Sequence, residues 1–533
     1  MTRPLVLASA FLFATVLSER LPAQERLGTV HFATSCAPAS TPTFDRGVAL
    51  LHSFEFGASI RAFSDVLAGD STCAMAYWGI ALSRWSNPMS AGNRSVAVLE
   101  AGRQAANAAA RLSSRVTERE RGYADAVGQL YADYEHRDQR TRIVAYERAM
   151  ADLVAKQPAD TEARIFHAIA LVAAAPPTDK TYAYQLAAGA TLEALWGRQP
   201  NHPGLAHYIV HAYDVPALAG RARAAAARYA EIAPSAAHAL HMPSHTFTRV
   251  GLWQQSINTN LRSIAEARRT GGIAEALHAA DYATYAYLQL RRDSLARAMV
   301  ESLPSWSARF DVNAVTGAAP GSAGVFALAA IPARYALERR DWASAASLRP
   351  AATVFPYADA LSWFARALGA SHLGDTADAR ASIDSLSVIR ERLLLQNEPY
   401  WTEQVAIERF GAQAWLDLAE RRREEAVAHM REAAAHEDAT EKSAVTPGPL
   451  APAHELMGDL LMELGRPAEA LAEYRLTLTK EPGRYRSLYG AMTAARTVRD
   501  RKAETDYASQ IATMTGAPAN AAPRRSPARR GGP

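Results

Sequence analysis

Along most of the chain, apolar residues recur three and four positions apart with polar residues between them, the spacing of one face of an α-helix. The first clear case covers residues 44–56. Gly57 breaks it, and a second run over 58–67 carries Ile60, Ala62 and Phe63 on one face. The same helix–turn–helix unit then repeats. Cys73-Ala74-Met75-Ala76-Tyr77-Trp78-Gly79 opens another first helix, and residues 117–132 with 139–156 form a hairpin with a charged outer face. Residues 160–174 with 184–197 form one more. No stretch shows the period-two alternation bounded by hairpin turns that marks strands. Irregular breaks fall near 86–94, 312–322 and 440–452.

The clearest unit lies near the C-terminus. Gly458 and Leu461 mark its first helix, Gly465-Arg466-Pro467 the turn, Ala470, Leu471 and Tyr474 the second helix, and Pro482 its end. This is the small–small–aromatic–proline order of a tetratricopeptide (TPR) repeat. Weaker copies turn at Gly374-Asp375, Arg340-Asp341 and Gly251-Leu252, and Pro200 and Pro234 close second helices as Pro482 does. The pattern predicts an all-α fold, a right-handed α-solenoid of ten to twelve TPR-like helical hairpins. It divides the chain into a segment 1–23, an irregular lead-in 24–41, N-terminal repeats 42–200, central repeats 201–305, C-terminal repeats 306–516 and a tail 517–533.

Composition adds three things to this picture. At 533 residues the chain exceeds what one compact core supports, which suits a repeat array. Arg3 followed by the 15-residue apolar run 4–18, with a cleavage site after Ala23, reads as a secretory signal, so the mature protein is expected to be periplasmic or secreted. No later stretch is long and apolar enough to predict a transmembrane segment. The net charge of +4 equals the four arginines Arg524, Arg525, Arg529 and Arg530 of the tail, which is read as disordered. The body is therefore near neutral, which argues against a nucleic-acid groove. Cys36 and Cys73 are the only two cysteines. In an oxidising compartment they would form one disulfide; the alternative is two buried thiols.

The candidate chemistry is concentrated in residues 201–281, which hold seven of the chain's 15 histidines: His202, His207, His211, His238, His241, His245 and His278. A pair at i, i+4 lies on one helix face, and the pair His207/His211 recurs 34 residues later, one TPR period, as His241/His245. Phasing on the turn at Gly251 puts His238, His241, His245 and Arg249 on the stripe of a first helix that lines the concave groove. The same phasing puts His278 and Asp281 on the next one. His207, His211, His241, His245 and His278 with Asp281 are the expected metal ligands, a set that suits Zn²⁺, Fe²⁺ or Cu²⁺. His238, Arg249, Asp214, Tyr208 and Tyr285 are expected to border or orient them, Asp214 doubling as a turn residue. Pro243 bears on this geometry: a helix starting there would leave His241 in a loop. His52 and His31 read as interface histidines.

Beyond the TPR pattern, the chain resembles a group of bacterial secreted TPR proteins of unassigned biochemical role. The resemblance is carried by the Cys73–Gly79 stretch, His202-Pro203-Gly204 with His207 and His211, Ala239-Leu240-His241-Met242-Pro243-Ser244-His245, His278 with Asp281-Tyr282, and the connection from Glu437 to Pro449. It implies the fold and brings no reaction with it. The expected function is a binding scaffold whose histidine-rich groove takes a divalent metal. The alternatives are a metal-dependent enzyme using the same histidines, or a plain interaction module holding a protein or peptide in the groove. His-Glu-x-x-His, phosphate-loop and nucleophile-elbow motifs are absent, which lowers the standing of an ordinary hydrolase or nucleotide enzyme.

Overall fold

A computed structural model describes residues 25–90, 92–176 and 178–516. The secretory signal and the basic tail expected from the sequence lie outside the described residues. Within them the chain is all-α, with twelve TPR-like helical hairpins following one another from Thr41–His52 paired with Phe56–Gly69 to Tyr485–Thr497 paired with Arg501–Thr515. The array runs on without interruption through residues 200 and 305.

The packing logic is visible where small residues admit an aromatic ring. Phe63, on the second helix of its hairpin, lies between Gly47 and Gly79 of the two neighbouring first helices; a Cβ at Gly79 would fall 2.3 Å from the ring. Tyr474 lies between Gly458 and Gly490 in the same way, with 2.4 Å at Gly490. The spacing is 16 residues on each side in both cases, so one contact recurs at both ends of the array. The central first helices are buried nearly all round: of Ile273–Gln289 only Ile273 is not buried, and Pro203–Ala212 is buried throughout. The second helix Trp253–Thr270 instead buries one stripe, through Trp253, Ile257, Asn260, Ile264 and Ala267.

The array curls until distant parts meet. The Asn93 amide donates to Glu398 (3.0 Å), the Lys180 ammonium to Glu441 (2.8 Å) and the Trp253 indole to the Gly483 carbonyl (3.0 Å). The Gly57 amide donates to the Thr316 carbonyl at 2.9 Å. The lead-in packs against the central hairpins, exchanging backbone bonds with Asn201 and Ser235. Cys36 and Cys73 are joined in a disulfide that ties this lead-in to the second hairpin. The inner face of the central hairpins, expected as an open groove, is consequently covered. The three irregular breaks in the helical pattern do the covering.

Candidate metal centre

The histidines come from four consecutive pieces of inner helix: Pro203–Ala212, Ala237–His241, Pro243–Arg249 and Ile273–Gln289. Pro203 starts the first, with His202 as its N-cap. Pro243 divides the next inner helix in two, yet Met242 at the break keeps helical torsions (φ −52°, ψ −34°). Proline removes one backbone donor there without turning the chain aside. His241 therefore ends a helix rather than lying in a loop, and its i, i+4 relation to His245 survives.

Among the described residues, three groups bring donor atoms within 4.8 Å of one another: His207, His211 and His238; His241, His245 and His278; and His52, Glu162 and His202. The first two follow one rule. An i, i+4 pair from one inner helix is joined by a single histidine from the next. The expected grouping by repeat equivalence is thereby shifted, and His238, expected beside the site, sits inside the first triad.

In the first triad the His207 Nδ1 donates to the backbone carbonyl of His52 (2.6 Å), and the His238 Nδ1 to Glu275 Oε1 (3.1 Å). In the second the His241 Nδ1 donates to Asn260 Oδ1 (2.7 Å), and the His245 Nδ1 to Asp214 Oδ2 (2.8 Å). The amide of Asn260 is oriented by its own donation to Ser256 O, at 2.7 Å. All four acceptors are oxygens that lack a proton to give, so each δ nitrogen carries the hydrogen and each ε nitrogen a lone pair. Those lone pairs face each other, His207 Nε2 to His238 Nε2 at 3.1 Å and His241 Nε2 to His245 Nε2 at 3.0 Å. His211 Nε2 and His278 Nδ1 are buried without any partner. Burial holds five of the rings neutral: desolvation pushes His241 down to about 3 and His245 to about 4, and His207, His211 and His278 well below the usual histidine range.

The third group is different. Glu162 accepts from His52 Nε2 and from His202 Nε2, both at 2.9 Å. Both ε nitrogens direct a hydrogen at the carboxylate, so the group holds together without a cation. Burial alone would raise the Glu162 carboxyl, but the two facing imidazoles hold it below its ordinary value. This group is a buried brace, and through the His52 carbonyl it orients His207.

Other expected site residues divide clearly. Asp214 is bound through its side chain to His245 and Arg249 (3.0 Å), and its carbonyl also accepts from Arg249 (2.9 Å), so both residues stand behind the second triad as expected. Asp281, expected as a ligand, instead pairs with the Arg334 guanidinium at 3.0 and 3.4 Å, both side chains fully buried. Tyr285, expected to border the histidines, binds Glu481 and Arg484. Tyr208 bonds His52 (3.2 Å), with its ring 5.1 Å from that of His207. Tyr282 stacks on His245 at 4.9 Å. Sequence reasoning missed Glu275, Asn260 and Glu162. Only Glu275, one turn before His278 on the same helix, left a local signal.

His211, His238, His245 and His278 open onto a single cleft. Its other walls include Asn87 and Met89, Ala319 and Ala323, and Ser443 and Val445, with Tyr357 and Trp401. Both triads are thus reached from the same side.

No family model and no curated protein matches the chain. Solved structures similar to it include the human IFIT1 dimer with m7Gppp-AAAA, at 10% identity over 88% of this chain and 95% of that one, with a TM-score of 0.39. Yeast Tom70 matches at 10% identity over 87% and 96%, TM-score 0.33. The APC/C hetero-tetramer Cut9–Hcn1 matches at 11% over 85% and 76%, TM-score 0.35.

Proposed function

We propose that the chain is an extracytoplasmic helical scaffold that holds two divalent transition-metal ions, one on His207, His211 and His238, the other on His241, His245 and His278. The observation that carries this reading is the facing of imidazole lone pairs at 3.0 and 3.1 Å in a buried interior. Two such lone pairs repel, and neither ring has a hydrogen left to place between them. A cation bound by both removes the repulsion. Ligands on one ion with metal–nitrogen bonds of about 2.0–2.1 Å stand about 2.9 Å apart at right angles and about 3.4 Å apart at a tetrahedral angle. The observed spacings fit that range.

The donor chemistry narrows the metal. Each set offers three neutral imidazoles and no thiolate. With Asp281 bound to Arg334, no carboxylate completes the two-histidine, one-carboxylate pattern of non-haem iron. Zn²⁺ or Cu²⁺ suits the sites better than Fe²⁺. The acceptors behind the rings, Glu275 and Asp214 among them, are the partners that fix ligand tautomers in metal sites. The Cys36–Cys73 disulfide supports an oxidising compartment. The covered floor favours a bound ion over a peptide lying along an open groove.

One further reading has an observation behind it. Three imidazoles leave a coordination position free, and here it faces a cleft, the arrangement of catalytic zinc centres. A metal-dependent enzyme is therefore the second reading. Elemental analysis of the purified mature protein tests the first directly: two equivalents of zinc or copper are expected, and no metal even after loading would sink both.

A further inference from the structure

Building on the two-ion reading, we infer that the cleft above the triads receives a small carboxylate with an apolar body, which binds the ions through its oxygens. The charge balance leads there. Six neutral imidazoles leave two divalent ions with their charge uncompensated. The nearby carboxylates are committed elsewhere: Asp214 to His245 and Arg249, Glu275 to His238 and the Ala319 amide, and Asp281 to Arg334. Among the described residues, no Asp or Glu lines the cleft.

A buried ammonium also stands behind the second triad. The Lys442 side chain is only 5% exposed, its ammonium 3.7 Å from Asp214 Oδ1 and without a hydrogen-bond partner. It directly precedes the Ser443–Val445 wall of the cleft. Two divalent ions on neutral imidazoles at the floor of such a cleft take an anion from outside.

The rest of the ligand is set by the walls. Met242, Ala323 and Val445 are apolar, and Tyr357 stacks flat on Trp401, with centroids 4.0 Å apart and planes 5° apart. Trp401 Nε1 is buried without a partner and supplies a donor on that wall. A fully hydrated tetrahedral anion would leave these surfaces unused, whereas a ring or short chain bearing one carboxylate covers them.

Both the anion and the metal reading can be tested on one sample. The full mature chain is loaded with Cu²⁺, its metal content measured, and its visible absorption followed during titration with benzoate, acetate and inorganic phosphate. Benzoate is expected to shift the spectrum and saturate, about tenfold tighter than acetate, the effect of burying an added apolar ring. Lys442→Met is expected to retain two ions and weaken benzoate by about tenfold, the loss of one nearby charge. Two retained ions with no spectral response to benzoate would overturn this inference and leave the metal reading standing. So would phosphate binding as tightly as benzoate. Failure to retain copper, in contrast, overturns the metal reading itself.

Discussion

His241 and His245 hold their ε nitrogens 3.0 Å apart while their δ nitrogens reach in different directions, one to Asn260 and one to Asp214. The two rings are fixed from behind and face only each other and His278 in front. His207 and His238 repeat the arrangement with a separate set of acceptors.

Because the triads share no ligand, they should lose metal separately. The double variant His241→Ala/His245→Ala is expected to retain one metal equivalent of two, with far-UV circular dichroism close to that of the parent. Elemental analysis after desalting reads the result. Loss of both equivalents would replace two separable sites by one.

Asp214 orients a ligand without entering the site. Asp214→Asn should weaken the second triad by about 10–100-fold, the usual effect of removing a partner behind a metal-binding histidine. Competition against a chelator of known affinity should show one weakened and one unchanged step. Glu275→Gln should weaken the other step instead.

Asp281 belongs to the scaffold. Arg334 bonds its carboxylate and also the carbonyls of Gly448 and Pro449, so it clamps the 440–452 connection over the site. Arg334→Met leaves a buried carboxylate uncompensated and should cost ~3–5 kcal/mol in denaturant unfolding. Asp281→Leu/Arg334→Met should recover much of that. If Asp281→Asn lowered metal content at unchanged stability, the ligand role expected from sequence would return.

One acid-sensitive element lies far from the metal centre. His372 is sandwiched between Trp342, at 3.8 Å, and Trp415, at 4.2 Å. Burial pushes it down to about 3, with Arg340 and Arg486 acting in the same direction and Asp459 against it. The unfolded chain binds this proton near pH 6.5 and the folded chain only near 3. The stability contribution is therefore complete above about pH 6.5 and is lost as pH falls through that window. His372→Leu should flatten the stability profile between pH 6.5 and 3, measured by denaturant midpoints. An unchanged slope would show that the ring takes up its proton without penalty.

The helical fold was legible because its determinants are local. The recurrence of apolar residues marked the hairpins, and Gly47–Phe63–Gly79 and Gly458–Tyr474–Gly490 carry the repeat contact in plain spacing. The i, i+4 pairs His207/His211 and His241/His245 were equally plain, since one helix turn brings them together. Asp281 misled because its position on the helix face is right while its partner, Arg334, lies 53 residues away. Tyr285 failed for the same reason, its hydroxyl satisfied by Glu481 and Arg484 from the far end of the array.

By itself, the sequence determined the secondary structure, the repeat and the concentration of imidazoles on inner helices, all of which follow from periods of a few residues to a few tens. Only the tertiary structure decided that His238 joins His207 and His211 and that His278 joins His241 and His245. It likewise decided that three irregular connections enclose them. Those outcomes depend on how far each hairpin rotates against the next and on the closing contacts between residues hundreds of positions apart, such as Asn93 with Glu398. Such contacts leave no periodic trace. They arise because buried polar groups must find partners wherever the curled array brings them, and the facing ε nitrogens of the two triads are where that search ends without a proton to share.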